Sequence, residues 1–478
     1  MLIQDTPVAV SSLPVGGEEI SSERTLEIRS PWSGELVGSL PVVGAAEAHR
    51  AIGAADVAMR LGLPTHQRAG ILDRAAELVR QRRDQLARLL AMEVAKPLNS
   101  AYVEIDRGIQ TLTFSAEAAR SLAGVTVPID AHPSGSGHLG FTLRVPVGVV
   151  AAITPFNFPF NLAAHKVGPA IAAGCACVLK PSFKAPLSGL EFARILHQAG
   201  LPKPWLSVIN GEPAEIAEVF LTDPRVKLIT FTGSSSVGWS LSSRAGARRI
   251  CLELGNSTPV IVCADADLEA AAQAIAASAF GFAGQSCIST QRVLVESSVH
   301  DGLVQALVAQ AERHSYGDPL GQDVTVSALI DAGARARVGA AVEGAIGAGA
   351  RQLCGGPAGD GNLLPTVLDG VSPGMDVWDR EVFGPVAGIM AFEAVDQALE
   401  LANGTEYGLQ AAIFTNHLPT AMLAAQRLRF GGVMVNESPS FRVDQMPYGG
   451  VKTSGNTKEG PGHAVLEMTE ERLVVIRL

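Results

Sequence analysis

The chain has no CxxC pair and no Cys/His cluster at metal-ligand spacing, and its six cysteines are scattered over 478 residues. A disulfide framework needs denser cysteine in a shorter secreted chain, so that class is excluded, and no zinc site is on offer. Basic charge is also scarce. Against 37 Lys and Arg stand 47 Asp and Glu, a formal charge of −10, which gives no electrostatic footprint for a nucleic acid. Long apolar runs are missing too. The stretch from Ala270 to Gly284 is interrupted by Gln273, Ser278 and Gly281 and is too short to cross a bilayer, while MLIQDTPVAVSS lacks the basic-then-apolar order of a leader. These absences predict a cytoplasmic, reducing setting with no membrane or nucleic-acid partner, and point to small molecules instead.

What is present is length and a repeated pattern. A chain of 478 residues exceeds what one apolar core supports, so two or three domains are expected. From Thr65 to Lys96 apolar residues recur at helical spacing, with arginines on the outer face read as solvated. Between Val147 and Glu253 short unalternating apolar runs (Val147 to Ile153, Cys175 to Leu179, Leu206 to Ile209, Val226 to Phe231) alternate with helical stretches, as in a parallel sheet covered on both faces. A second α/β series follows at Pro259 to Cys263, Val293 to Val295, Val386 to Phe392, Ala411 to Phe414 and Val433 to Val435. Val125 to Ile129 and Phe141 to Val145 flank the turn-rich AHPSGSGH and read as a projecting hairpin, and the terminal LVVIRL reads as a strand. Open edges of that kind are normally covered, here by a partner subunit, so a homodimer or homotetramer is expected.

Several segments can carry chemistry. FTGSSSVG, from Phe231 to Gly238, lies between a strand and a helix, where Gly233 and Ser234 can turn N–H groups and the helix dipole toward a phosphate. As a lone Gly/Ser turn it is more often structural. Lys180 ends the strand CACVLK, where open α/β sheets bind ligands, although a strand-end lysine is commonly a solvated charge. In TPFNFPFN the three phenylalanines default to core, whereas the amide of Asn157, if buried, needs a partner, and an oxygen that becomes negative during attack would be one. Cys287, in FAGQSCIST, sits among small residues that leave room for a ligand, against the ordinary reading of an inert buried thiol. Glu253, in LELGN, ends a strand where partial desolvation can raise a carboxyl into the range of a general base.

In their order along the chain, TPFNFPFN, KPS, FTGSSSVG, LELGN, GQSC, EVFGP and MPYGGVKTSG resemble the aldehyde dehydrogenase superfamily, from Ile28 to the C-terminus. The resemblance implies an α/β fold of two Rossmann-like lobes plus a small β oligomerisation element. On that template residues 1–120 and 146–253 form the dinucleotide-binding domain, 254–440 the catalytic domain, 121–145 and 465–478 the oligomerisation element, and 441–464 a loop and helix returning toward the active site. It implies Cys287 as nucleophile, Asn157 as oxyanion donor and Glu253 as the base that activates water, with NAD or NADP as cofactor. Thr154, Pro155, Lys180, Ser182, Gly233, Ser234, Glu381 and Phe383 would meet that cofactor, and Arg107, Phe158, Ser286 and Arg442 the substrate. Phe183 stands where NAD-preferring members carry a glutamate, and Lys184 beside it can attract a 2′-phosphate, so NADP is admitted. Asn256 replaces a frequent second glycine in LELGN, compatible with the same turn. The region around GQSCIST and NESPSFRVDQMPYGGVK resembles the branch of lactaldehyde, phosphonoacetaldehyde and non-phosphorylating glyceraldehyde-3-phosphate dehydrogenases. That implies a short polar or anionic aldehyde, with Arg107 and Arg442, the latter near the pocket mouth, as anion contacts; Ser286, where some members place arginine, disfavours a doubly charged phosphate. A CoA-acylating semialdehyde dehydrogenase and a non-catalytic scaffold are the alternatives.

Overall fold

The computed structural model describes residues 8–478. The first seven residues, assigned above to the dinucleotide-binding domain, lie outside the described residues. The runs expected as buried strands form a five-stranded parallel sheet in the order Leu206–Val208, Cys177–Lys180, Val149–Ile153, Val226–Thr232 and Arg249–Glu253. The chain therefore builds outward from Val149–Ile153 in one direction, then returns to build in the other. Strand order reverses between Val149–Ile153 and Val226–Thr232, and at such a switch point the two departing helices leave a crevice beyond the carboxyl ends. Lys180, Thr232 and Glu253 all end strands on that edge.

Only four residues separate Glu253 from the next strand, Thr258–Val262. The carboxyl edge of the first sheet consequently abuts the amino edge of the second, and the crevice becomes a cleft between the two. The second sheet has seven strands, ordered Arg351–Pro357, Leu363–Asp369, Val386–Phe392, Thr290–Glu296, Thr258–Val262, Gln410–Phe414 and Gly432–Val435. The first two were not legible as strands in the sequence. Arg351–Pro357 is antiparallel and mostly exposed at the sheet edge, so its residues need no apolar run. Two apolar cores form, one mainly from Val10 to Leu254 and one mainly from Val260 to Phe430.

The helix expected from Thr65 to Lys96 is two, Thr65–Gln81 and Arg83–Val94, because Arg82 leaves helical geometry with φ −107° and ψ 15°. Its arginines are not all solvated: Arg68 donates to the Ala172 carbonyl at 2.6 Å and Arg74 to the Ala199 carbonyl at 2.8 Å. Both meet helix C-termini, where a cation satisfies free carbonyls and the dipole.

The projecting hairpin is present as Thr126–Val127 paired with His138–Pro146, with short 3-10 turns in AHPSGSGH. The terminal strand is longer than LVVIRL, running Thr469–Arg477 along His138–Pro146, and residues 465–467 belong to the preceding helix Pro461–Glu467. Register places Leu139, Leu143 and Ile476 on one face of this sheet and Leu473 and Val475 on the other, and all five are exposed.

Candidate active site

The segment after Ile153 is fixed by its neighbours on the Leu98–Ser121 helix. Pro159 occupies the first turn of the Pro159–Ala173 helix, where its missing N–H costs nothing. The free N–H groups of Phe160 and Asn161 donate to Glu104 Oε1 at 2.9 and 3.2 Å. Glu104 in turn pairs with Lys96, both fully buried, and Lys96 Nζ donates to the Asn157 carbonyl at 2.6 Å. The main chain of Asn157 is thus clamped, and its buried side-chain amide donates to the Gln285 carbonyl at 3.0 Å, two residues before Cys287. Phe160 is core, as the default reading has it, while Phe156 and Phe158 face the cleft.

The loop that carries Cys287 begins with three residues in left-handed backbone, Phe282, Ala283 and Gly284, with φ of 50°, 52° and 66°. Only the glycine takes this region without cost, and a Cβ at Gly284 would lie 2.1 Å from the Gly384 carbonyl oxygen. This tight turn sets Cys287 half-buried in the cleft wall, with Sγ 3.0 Å from the Tyr448 hydroxyl. Burial pushes the thiol up to about 12, Glu381 and Glu253 push in the same direction, and the Tyr448 hydrogen bond and Arg442 oppose them.

Two buried carboxyls on the same wall are driven apart. Glu459 is buried, which alone would raise it, but Lys166, His165 and Arg442 outweigh that and hold it at about 2; Arg442 donates to it at 3.0 Å. Glu253 has neither oxygen bonded to protein among the described residues, and burial, then the charge of Glu459, lifts it well above the ordinary carboxylate range. An unpartnered buried carboxyl opening on a cavity has a function to perform or a water to hold. Burial likewise lifts Glu381 to about 7, against a hydrogen bond of 3.0 Å from the Asn256 N–H. Asn256 has no positive φ and ties the turn together by donating to Thr258 and the Gln410 carbonyl, so the departure from glycine is accommodated.

These groups share one cavity of about 460 Å³, within the usual range for a small-molecule site. Cys287, Glu253, Asn157, Pro155, Phe158 and Ser286 line it, as do Gly233, Ser234, Glu381 and Phe383, and so do Arg107 and Arg442. Thr154, Lys180 and Ser182 do not; they sit at the adjoining strand ends, where burial lowers Lys180 to about 8.

Four expectations change. The Gly233 N–H is not available to a phosphate, because it donates to the Glu253 carbonyl at 3.1 Å in the sheet ladder. Lys184 is not a free cation, because it pairs with Asp331. Arg442 is in the wall rather than at the mouth, its side chain 7% exposed and its guanidinium 3.7 Å from the Tyr448 ring centre. Arg107 lines the cavity with its charge already balanced by Asp444 at 2.9 Å.

The cleft fits a dinucleotide. Thr154 Oγ1, Thr232 Oγ1 and Ser235 Oγ are buried hydroxyl oxygens without a partner among the described residues. The Ser235–Arg244 helix opens at the switch point, and the first N–H there to close a main-chain bond is that of Gly238, on Ser234. Donors and dipole at such a helix start suit a pyrophosphate.

Tyr448, Glu459, Lys166, Arg337 and the Lys96–Glu104 pair were not singled out from sequence. For Lys96 the signal was a lysine at the end of an otherwise apolar stretch; for Tyr448 it was a phenol inside MPYGGVKTSG.

A family model described as the aldehyde dehydrogenase family matches residues 19–474. A 3-sulfolactaldehyde dehydrogenase of Priestia aryabhattai is 40% identical over 473 residues, covering 99% of each chain. A lactaldehyde dehydrogenase of Methanococcus aeolicus is 35% identical over 469 residues, covering 97% of this chain and 99% of that one. Among solved structures, an NADP-dependent glyceraldehyde-3-phosphate dehydrogenase from Bacillus halodurans complexed with NADP superposes with a TM-score of 0.95 at 35% identity, covering 98% and 99% of the two chains.

Proposed function

The chain belongs to the aldehyde dehydrogenase family, and we propose that it oxidises a short hydroxy or singly charged aldehyde to the carboxylic acid through a covalent intermediate on Cys287. It is an NAD(P)-dependent enzyme with two Rossmann-like α/β lobes. The observation that carries the proposal is the meeting of the Cys287 sulfur, the Asn157 amide and the unpartnered Glu253 carboxyl in one cavity.

Cys287 Sγ adds to the carbonyl carbon, and the oxygen that gains charge is stabilised by the Asn157 amide and by the Cys287 N–H, which has no acceptor among the described residues. When bound, the dinucleotide supplies the acceptor for the substrate's two electrons, and its positive nicotinamide favours the thiolate. Glu253 then takes a proton from water, whose oxygen attacks the thioester carbon and releases the acid and the thiol. A base placed there favours water over CoA, and a complete set of reacting groups disfavours a non-catalytic scaffold.

Charge in the cavity supports the substrate class. Arg107 and Arg442 are each balanced, by Asp444 and Glu459, and Ser286 adds no cation. A single anionic group or a hydroxyl suits these polarised pairs. Arg337, which also lines the cavity, forms no salt bridge among the described residues, so it is the absence of a cation at Ser286 that speaks against a doubly charged phosphate. The relatives named for lactaldehyde and sulfolactaldehyde are consistent with this. The test is a panel of lactaldehyde, succinic semialdehyde, glyceraldehyde 3-phosphate and propanal, each with NAD and with NADP, on wild type and Arg107→Ala. KM for the singly anionic aldehyde should rise roughly tenfold or more in the variant while that for propanal stays within about threefold. Equal effects, or propanal as the best wild-type substrate, would overturn the substrate assignment.

The same reading keeps 1–120 with 146–253 as the dinucleotide unit and 254–440 as the catalytic unit, supported by the two apolar cores. Segment 121–145 and the terminal strand Thr469–Arg477 make the oligomerisation element, with 441–464 supplying Arg442 and Tyr448. Apolar residues exposed on both faces of the projecting sheet support burial against further copies of the chain. Light scattering should give the mass of two or four chains, and Leu473→Glu with Val475→Glu should lower it; a wild-type monomer would refute this. Among the described residues no helix is long and apolar enough to cross a membrane, and six unpaired cysteines support a reducing, cytoplasmic setting.

A further inference from the structure

The phenol of Tyr448 has one hydrogen-bond partner among the described residues, and that partner is the Cys287 sulfur at 3.0 Å. The side chain is 3% exposed and packs with Ile288 and Leu409, so the ring cannot swing to another acceptor without unpacking a small apolar cluster. On its face lies the Arg442 guanidinium, 3.7 Å from the ring centre and itself held by Glu459. A cation against the ring draws electron density from it and makes the hydroxyl a better donor.

We propose that Tyr448 is a further catalytic residue, whose hydroxyl donates to the Cys287 sulfur and favours the thiolate over the thiol. The proposal rests on Cys287 being the nucleophile. Direction of donation follows from chemistry. Burial, and then the adjacent sulfur, hold the phenol well above its ordinary range, so Tyr448 keeps its proton at every working pH and can only donate to a thiolate. The charged groups facing the sulfur are Glu381 and Glu253, which oppose ionisation, and Arg442, which favours it. With two carboxyls arrayed against the thiolate, a donor in direct contact is the counterweight that the residues themselves provide. Loss of one hydrogen bond to an anionic acceptor is worth about a tenfold change in its ionisation.

The experiment compares wild type and Tyr448→Phe, both as the full chain without added dinucleotide, in alkylation by iodoacetamide between pH 6 and pH 9. The thiol loses its proton to solvent, the thiolate forms the S–C bond, and iodide leaves, so no oxidant is required. Peptide mass spectrometry separates Cys287 from the half-exposed Cys354. Below the thiol's titration the rate follows the thiolate fraction, so the variant's curve should lie about tenfold lower at each pH, equivalent to a displacement of about one unit to alkaline pH. Its melting temperature and oligomeric mass should be those of wild type. A folded variant whose curve superimposes on that of wild type would overturn the role of Tyr448 while leaving Cys287 in place. Wild-type protein that keeps full oxidation activity after alkylation at Cys287 would instead overturn both this role and the nucleophile on which it rests.

Discussion

Cys287→Ala is expected to lose aldehyde oxidation by about 10⁴-fold or more in kcat, while keeping its fold and its affinity for dinucleotide. The size of the effect follows from the covalent route. Without the sulfur no thiohemiacetal forms, and the donors around it have no charge to stabilise, so the parts of the site fail together rather than additively. No other thiol can substitute: Cys175, Cys177, Cys251 and Cys263 are buried, Cys354 lies in the edge strand Arg351–Pro357, and none of them lines the cavity. The structural cost should be small, because Cys287 is only half-buried and packs on a cluster of three residues. Steady-state assay with calorimetry on the same sample separates the two effects. A variant that keeps more than about one per cent of wild-type kcat would rule out covalent catalysis at this position.

Glu253→Gln should lower steady-state turnover by about 10³-fold and yet leave the first turnover nearly intact, because water activation belongs to the second half of the cycle. Rapid mixing should show a burst of reduced cofactor of about one per site, followed by a slow phase. If burst and slow phase fall together, Glu253 acts before the thioester and its assignment is wrong. The pH dependence carries a sign that can be worked out. Burial, reinforced by the charge of Glu459, lifts Glu253 well above the ordinary carboxylate range. The base form is therefore lost as pH falls through that raised value, and wild-type turnover should decline about tenfold per unit on the acid side. The glutamine variant should lack this limb. Adding CoA should not restore turnover by the wild type at acid pH, since a thiol acceptor would bypass the base only if the site accommodated it.

Much of the molecule was legible from residue order. Unalternating runs such as Cys177–Lys180 and Val226–Thr232 are strands because both their faces are covered, and burial of that kind is written directly in composition. Asn157 and Glu253 stood out for a related reason: a polar group set among apolar neighbours must be satisfied or used, and both are buried in the cleft wall. Illegible were the features that depend on which distant groups meet. Arg351–Pro357 has no apolar signature because it is an exposed edge, and Arg82 breaks a helix whose periodicity continues through it. Nothing in the order of residues shows that Asp331 takes Lys184, that the Glu253 carbonyl takes the Gly233 N–H, or that Arg442 is drawn into the wall by Glu459.

Sequence alone thus determined the two α/β lobes and the strand ends and loops that carry the candidate site residues, since periodicity and turn chemistry are local properties of the chain. Tertiary structure decided which charges remain uncompensated. Glu253 is left without a cation because Glu459, 206 positions later in the chain, holds Lys166 and Arg442, and Cys287 gains a hydrogen-bond partner because Tyr448 is folded against it. Pairing of charges and hydrogen bonds in a low-dielectric cavity is set by distance in space, and that distance exists only once the chain has closed on itself.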